Sequence, residues 1–84
     1  MDNKKNKVTV EVYGESYALK GNIEDERVKM IAGLVDDKMR AIAKINPRLS
    51  PTKIAVLAAL NLAEDYLRLE SDYSQLVQMV REIK

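Results

Sequence analysis

Residues 51–84 read PTKIAVLAALNLAEDYLRLESDYSQLVQMVREIK, and the spacing of apolar side chains within them decides the fold. Counting from Ala55, apolar or aromatic residues recur at Ala59, Leu62, Tyr66, Leu69, Tyr73, Leu76, Val80 and Ile83, in unbroken steps of four and three. These steps trace a heptad seam on a helix, with Ala59, Tyr66, Tyr73 and Val80 at the a positions and Ala55, Leu62, Leu69, Leu76 and Ile83 at d. Such a stripe needs a partner helix. Ser50 is placed to cap this helix, and Pro51 to occupy its first position, where a missing N–H costs nothing. No Gly or Pro follows. The helix is therefore expected to run unbroken to Ile83, roughly 50 Å at about 1.5 Å per residue. A domain this small cannot cover that length from one side, so the C-terminal half is expected to lie against another chain.

The two halves of the stretch differ. From Ile54 to Ala63 nearly every residue is apolar, including Ile54, Val56, Leu57 and Leu60 off the seam, which predicts cover on several sides. Asn61 is the exception, read as a locally satisfied core amide or as a device that fixes helix register. Beyond Ala63 the pattern narrows to a stripe flanked by Glu64, Asp65, Arg68, Glu70 and Asp72. Val77 and Met79, at e and g, then widen it, which suits a bundle of more than two helices.

Working outward, Val8, Val10 and Val12 alternate with Thr9, Glu11 and Tyr13, the period of a half-buried strand. Ser16 to Lys20 resumes an extended pattern with Tyr17 and Leu19 on one face. Gly14, as the first central residue of a type II′ turn with Glu15, predicts a hairpin in which Val12 faces Tyr17 and Val10 faces Leu19. A lone hairpin is only marginally stable, so its apolar face should pack on a helix. Gly21 ends the strand, and Asn22 is placed to cap a helix over about 23–46, with Glu24, Asp25 and Glu26 complementing the dipole of the first turn. Val28, Ile31, Val35, Met39, Ile42 and Ile45 form its apolar face, with Leu34 beside it. Asp36 and Arg40 make an i, i+4 pair on the outside. Adjacent Asp36 and Asp37 point about 100 degrees apart and lack a third ligand, so they read as a solvated face and not a magnesium site. The helix stops before Pro47, and a short turn leads into the helix that begins at about residue 51.

The predicted fold is thus α+β, an N-terminal β-hairpin followed by two helices, the second long and forming an inter-chain coiled coil or helical bundle. Residues 1–6 form a tail, 7–63 a ββαα head, and 64–84 a coiled-coil tail that continues the second helix. Eighty-four residues bury little apolar surface alone, so association is the default. With 46% hydrophobic and 32% charged residues, the chain has the profile of a helical, oligomerising protein and not of a disordered one. It holds no Cys, His, Trp or Phe, which removes disulfides, thiolate and imidazole metal sites, and the commonest catalytic bases and nucleophiles. No enzyme and no cofactor are expected. A net charge of +1 supplies no field for nucleic acid, and Lys4, Lys5 and Lys7 read as a solubilising end. The longest apolar run is too short to span a bilayer and no signal peptide opens the chain, so a cytoplasmic location is expected, with neither a membrane nor a nucleic-acid partner.

The strand and turn Val8 to Ser16 with its Tyr13-Gly14, the segment Leu34-Val35-Asp36-Asp37-Lys38-Met39, and Ile54-Ala55-Val56-Leu57-Ala58-Ala59-Leu60-Asn61, in this order and ending in a heptad helix, resemble the ZapA family. That resemblance covers nearly the whole chain. It implies a cytoplasmic protein at the midcell division site that binds and bundles protofilaments of FtsZ, the tubulin-like GTPase. It also implies self-association, as a homodimer through the heads or a homotetramer through antiparallel tails. Charged residues at the hairpin turn and the interhelical turn are implicated in FtsZ binding in the family, and those places hold Glu15 and Arg48 here. Relatives with Arg after the turn glycine carry the opposite charge to Glu15. The tail ends several heptads before that of some relatives, which leaves a compact dimer and a short tetramer both open. The oligomer interface is expected at Ala59, Leu62, Tyr66, Leu69, Tyr73, Leu76, Val80 and Ile83. The alternative is a generic oligomerising coiled-coil module with a different helical partner.

Overall fold

A computed structural model describes residues 6–22 and 24–82. Lys4, Lys5 and Ile83, which entered the expectations above, lie outside the described residues, as does the first position of the expected 23–46 helix. The elements run β1 (Asn6–Val12), β2 (Glu15–Gly21), α1 (Asp25–Ile45) and α2 (Pro51–Glu82). This is the α+β order that the residue patterns predict. The shape is flat and open, 51 × 48 × 15 Å, with a Cα radius of gyration of 17.4 Å. A compact chain of this length would have a radius near 12 Å. The excess comes from α2, whose thirty-two residues span about 48 Å.

The β-hairpin turn is not the expected one. Gly14 and Glu15 were its predicted central residues, yet the ladder pairs Val12 with Glu15, Val10 with Tyr17 and Val8 with Leu19, so Tyr13 and Gly14 make the turn. Both have positive φ, +51° and +82°, as a type I′ turn requires. Left-handed backbone is unfavourable for tyrosine. Here a tertiary contact compensates, because the Tyr13 N–H donates to Asp36 Oδ1 on α1 at 2.7 Å. The register moves by two residues. Since side chains alternate with a period of two, every side chain keeps its predicted face.

Two small clusters hold the chain together. Val8 and Val10 pack on Val28 and Ala32 of α1, and Met39 packs on Ile54 and Ala58 of α2. Val12 touches both clusters and joins them. The inward stripe of α1 differs in part from the predicted one, since Ile31 and Ile45 are exposed and the small residues Ala32 and Ala43 lie inward instead. The cause is where α1 sits. It lies over β1 and not over the middle of the hairpin, and Ala32 permits the close approach. Tyr17 and Leu19 of β2 are consequently 49% and 45% exposed, although they share the apolar face. They border a groove of about 290 Å³ whose α1 wall is Val28, Ile31 and Val35.

Helix α1 begins at Asp25, later than Asn22 would place it. Glu24 is its N-cap, with extended backbone and no side-chain capping bond, while Asp25 and Glu26 fill the acidic first turn. The ladder opens with Val28 N–H donating to the Glu24 carbonyl at 3.0 Å, so the first closed turn belongs to the first core residue of the helix. At the other end, Asn46 terminates α1 and Leu49 tucks into the Met39 cluster. Helix α2 starts at Pro51, and the Lys53 N–H donates to Ser50 Oγ at 3.2 Å, the cap that the residues predict.

Candidate functional site

The first turns of α2 are covered on one side only. Ile54 and Ala58 are buried against α1 and Leu62 is half-buried, but Val56, Leu57 and Leu60 are exposed. Cover on several sides, as the composition of Ile54 to Ala63 predicts, is not supplied by the described residues. Asn61, expected as a core amide or a device that fixes register, is likewise left uncovered by the described residues. It is exposed and lines an open depression of about 400 Å³ with Ile42, Ile45, Leu57 and Leu60, because α1 reaches only one flank of α2 there.

The Lys38 ammonium marks where α1 stops supporting α2, pairing with Asp65 Oδ2 at 3.1 Å. Past Asp65, every described residue is exposed except the half-buried Val77. Among the predicted seam residues, Tyr66, Leu69, Tyr73, Leu76 and Val80 are each between 56% and 69% exposed, Ala59 is exposed and Leu62 half-buried. Among the described residues, these side chains form one apolar strip that no other element covers past Asp65. Arg68 lies beside it, joined to Glu64 at 2.9 Å and to Asp65 at 3.9 Å. Exposed pairs of this kind stabilise helices only slightly. The described residues thus leave the apolar side chains of the strip in contact with water.

The two charged turn residues, Glu15 and Arg48, are both exposed and pair with no described residue. Glu15 opens β2 directly after the turn, and Arg48 sits in the interhelical turn three residues before Pro51. The hairpin tip and the start of α2 meet where Tyr13, Glu15, Tyr17, Met39, Pro51 and Thr52 line a depression of about 260 Å³. Folding thus gathers two surface features that are more than thirty residues apart in the chain. Arg48 itself is not among the lining residues.

Beneath the tip lies a group whose spacing in the sequence reads as a plain solvated face. Asp36 accepts the Tyr13 N–H on one oxygen and Arg40 Nε, at 3.0 Å, on the other. The Arg40 guanidinium carbon lies 5.9 Å from the centroid of the Tyr13 ring. The Tyr13 amide, and then the Arg40 hydrogen bond and charge, hold the Asp36 carboxyl below its ordinary value, and Arg40 is raised in turn. The Asp36–Arg40 pair was legible from its spacing, but its contact with the hairpin was not. A tyrosine directly before the turn glycine was the available signal, since a left-handed tyrosine needs outside support. Asp37 is exposed and takes no part. Among the described residues no group of three or more carboxylates gathers as a metal site, and no helix is long and apolar enough to cross a membrane.

A family model described as Cell division protein ZapA matches residues 8–84. The chain belongs to the ZapA family. It is 39% identical over 83 residues to the cell division protein ZapA of Geobacillus sp. (strain WCH70), covering 99% of this chain and 95% of that protein. To that of Bacillus pumilus (strain SAFR-032) it is 43% identical over 81 residues, with 96% and 95% covered. A solved structure described as a ZapA mutant dimer from Geobacillus stearothermophilus superposes with a TM-score of 0.71 at 32% identity, covering 98% of this chain and 95% of that one. A cell-division role follows from this membership. The ZapA resemblance carried by the hairpin, the Leu34–Met39 segment and the start of α2 is thereby shown.

Proposed function

We propose that this chain is a non-enzymatic cell-division accessory protein that binds and cross-links FtsZ protofilaments at midcell, in the cytoplasm, and so promotes ring assembly. Residues 7–63 act as the head that contacts the filament, and 64–84 as the tail through which copies associate. The observation that carries this reading is the exposed strip from Tyr66 to Val80, which is apolar, regular and uncovered. It fits a homodimer or a homotetramer, and the relative solved as a dimer supports self-association. Ala59, Leu62, Tyr66, Leu69, Tyr73, Leu76, Val80 and Ile83 form the interface. A closed oligomer that carries two or more copies of one binding surface bridges filaments by multivalency, with no reaction to catalyse. The filament-contacting candidates are Arg48, in the interhelical turn, and Glu15, which lines the depression shared by the hairpin tip and the start of α2.

The test is sedimentation of FtsZ polymerised with GTP, with and without this protein, and imaging of the pellets. Co-pelleting with bundled filaments supports the reading; protein left in the supernatant with unchanged filaments rejects it. A second reading, an oligomerising module for another helical partner, draws on Val56, Leu57 and Leu60, which are exposed off the seam. Charge reversal at Arg48 or Glu15 separates the two. Weakened filament binding with oligomerisation intact favours the cross-linker, whereas no effect of either change favours the module.

A further inference from the structure

The hairpin tip combines two features that do not ordinarily occur together. Its first turn residue is a tyrosine at φ +51°, a conformation that L side chains seldom adopt. It also belongs to a two-stranded sheet, which has little stability of its own. Strained backbone persists only where its surroundings over-determine it, and such places cluster at functional surfaces. Here the surroundings are a closed ring of three groups. Asp36 Oδ1 accepts the Tyr13 N–H at 2.7 Å, Asp36 Oδ2 accepts Arg40 Nε at 3.0 Å, and the Arg40 guanidinium lies over the Tyr13 ring. Had Asp36 served only as an i, i+4 partner for Arg40, its second oxygen would not be committed to another element. Met39, on the same turn of α1, packs on Ile54 and Ala58 of α2. The tip, α1 and the start of α2 are thus joined as one body, and the spacing of Glu15 from the interhelical turn is set by that joint.

We propose that Asp36 and Arg40 are positioning residues that, acting through Tyr13, lock the hairpin tip against the helices and so preorganise the filament-contacting surface. This rests on the reading that the tip belongs to that surface. Preorganisation strengthens binding by removing the cost of ordering the tip when the partner arrives.

The experiment uses the full chain, labelled for amide exchange by NMR, alongside co-pelleting with FtsZ filaments. Asp36→Ala should speed exchange of the residue 13 amide by about tenfold or more, since a hydrogen bond to a charged acceptor is lost. It should also weaken co-pelleting by roughly threefold to tenfold, the scale of ordering one mobile segment, with oligomeric state unchanged by sedimentation. Asp36→Asn keeps an acceptor for the amide and loses the ion pair, so an intermediate exchange rate is expected, and this variant serves if the alanine disturbs the fold. Unchanged exchange in both Asp36 variants would overturn the lock. Faster exchange with unchanged co-pelleting would overturn the positioning role. Failure of the unsubstituted protein to co-pellet would reject the filament reading and the positioning role with it, while exchange would still decide the lock.

Discussion

The first turns of α2 and the turns beyond Asp65 belong to one unbroken helix, but they are stabilised in different ways. At the start, Ile54 is 1% exposed, and fully burying a side chain of its size contributes about 1.5–3 kcal/mol from contacts within the chain. Farther along, leucines and tyrosines of equal apolar area stand in water. The stability of the first segment is unimolecular. The second finds no such contacts among the described residues, and under the proposed self-association its stability depends on protein concentration. A helix can thus be continuous in backbone and discontinuous in energetics, and the Lys38–Asp65 pair marks the boundary.

The sharpest way to break this contrast is to put charge into the strip. Glu at both Leu69 and Leu76 should remove at least about 3–6 kcal/mol of association free energy, two side chains' worth of burial. That exceeds a hundredfold in dissociation constant. Sedimentation equilibrium should then show a smaller assembly, and circular dichroism a partial loss of helix. An unchanged oligomer would mean that the strip is not the interface. Ile54→Ala attacks the other side of the contrast and should cost about 2–5 kcal/mol. In a urea titration this should appear at every protein concentration, and a loss that disappears on concentrating the sample would show that the first segment also depends on a partner. Ser50→Ala removes the cap of α2 and should cost about 1 kcal/mol, as a lower thermal midpoint. Lys38→Ala should have the smallest effect, about 0.2–1 kcal/mol and diminished by salt, since both partners are partly solvated.

Much of this architecture was legible because it rests on periodicity. Steps of four and three gave α2 and its strip, the alternation of Val8, Val10 and Val12 gave β1, and Ser50-Pro51 marked a helix start that the structure places at the same residues. What escaped depends on contacts between elements. The turn register turned on whether Tyr13 would accept left-handed backbone, and that is decided by Asp36, twenty-three residues away. The outward rotation of Ile31 follows from α1 lying over β1 alone, which no helical period specifies. Of the candidate site, the charges at Glu15 and Arg48 were visible as turn residues. The meeting of the hairpin tip with Pro51 and Thr52 of α2, and the Asp36 ring beneath the tip, became visible only once the chain was folded.

The uninterrupted backbone of α2 has a mechanical consequence. From Tyr66 to Glu82 it runs for about 25 Å without a glycine or proline at which it could hinge. A tether of flexible residues would give its two ends a broad distribution of separations. A rod of this kind instead transmits angle as well as distance, so under the proposed association a rotation imposed at its start would be delivered to whatever packs on its far end. An assembly built on such shafts should favour one lateral spacing and one relative orientation of the objects it holds, behaving as a gauge block more than as a leash.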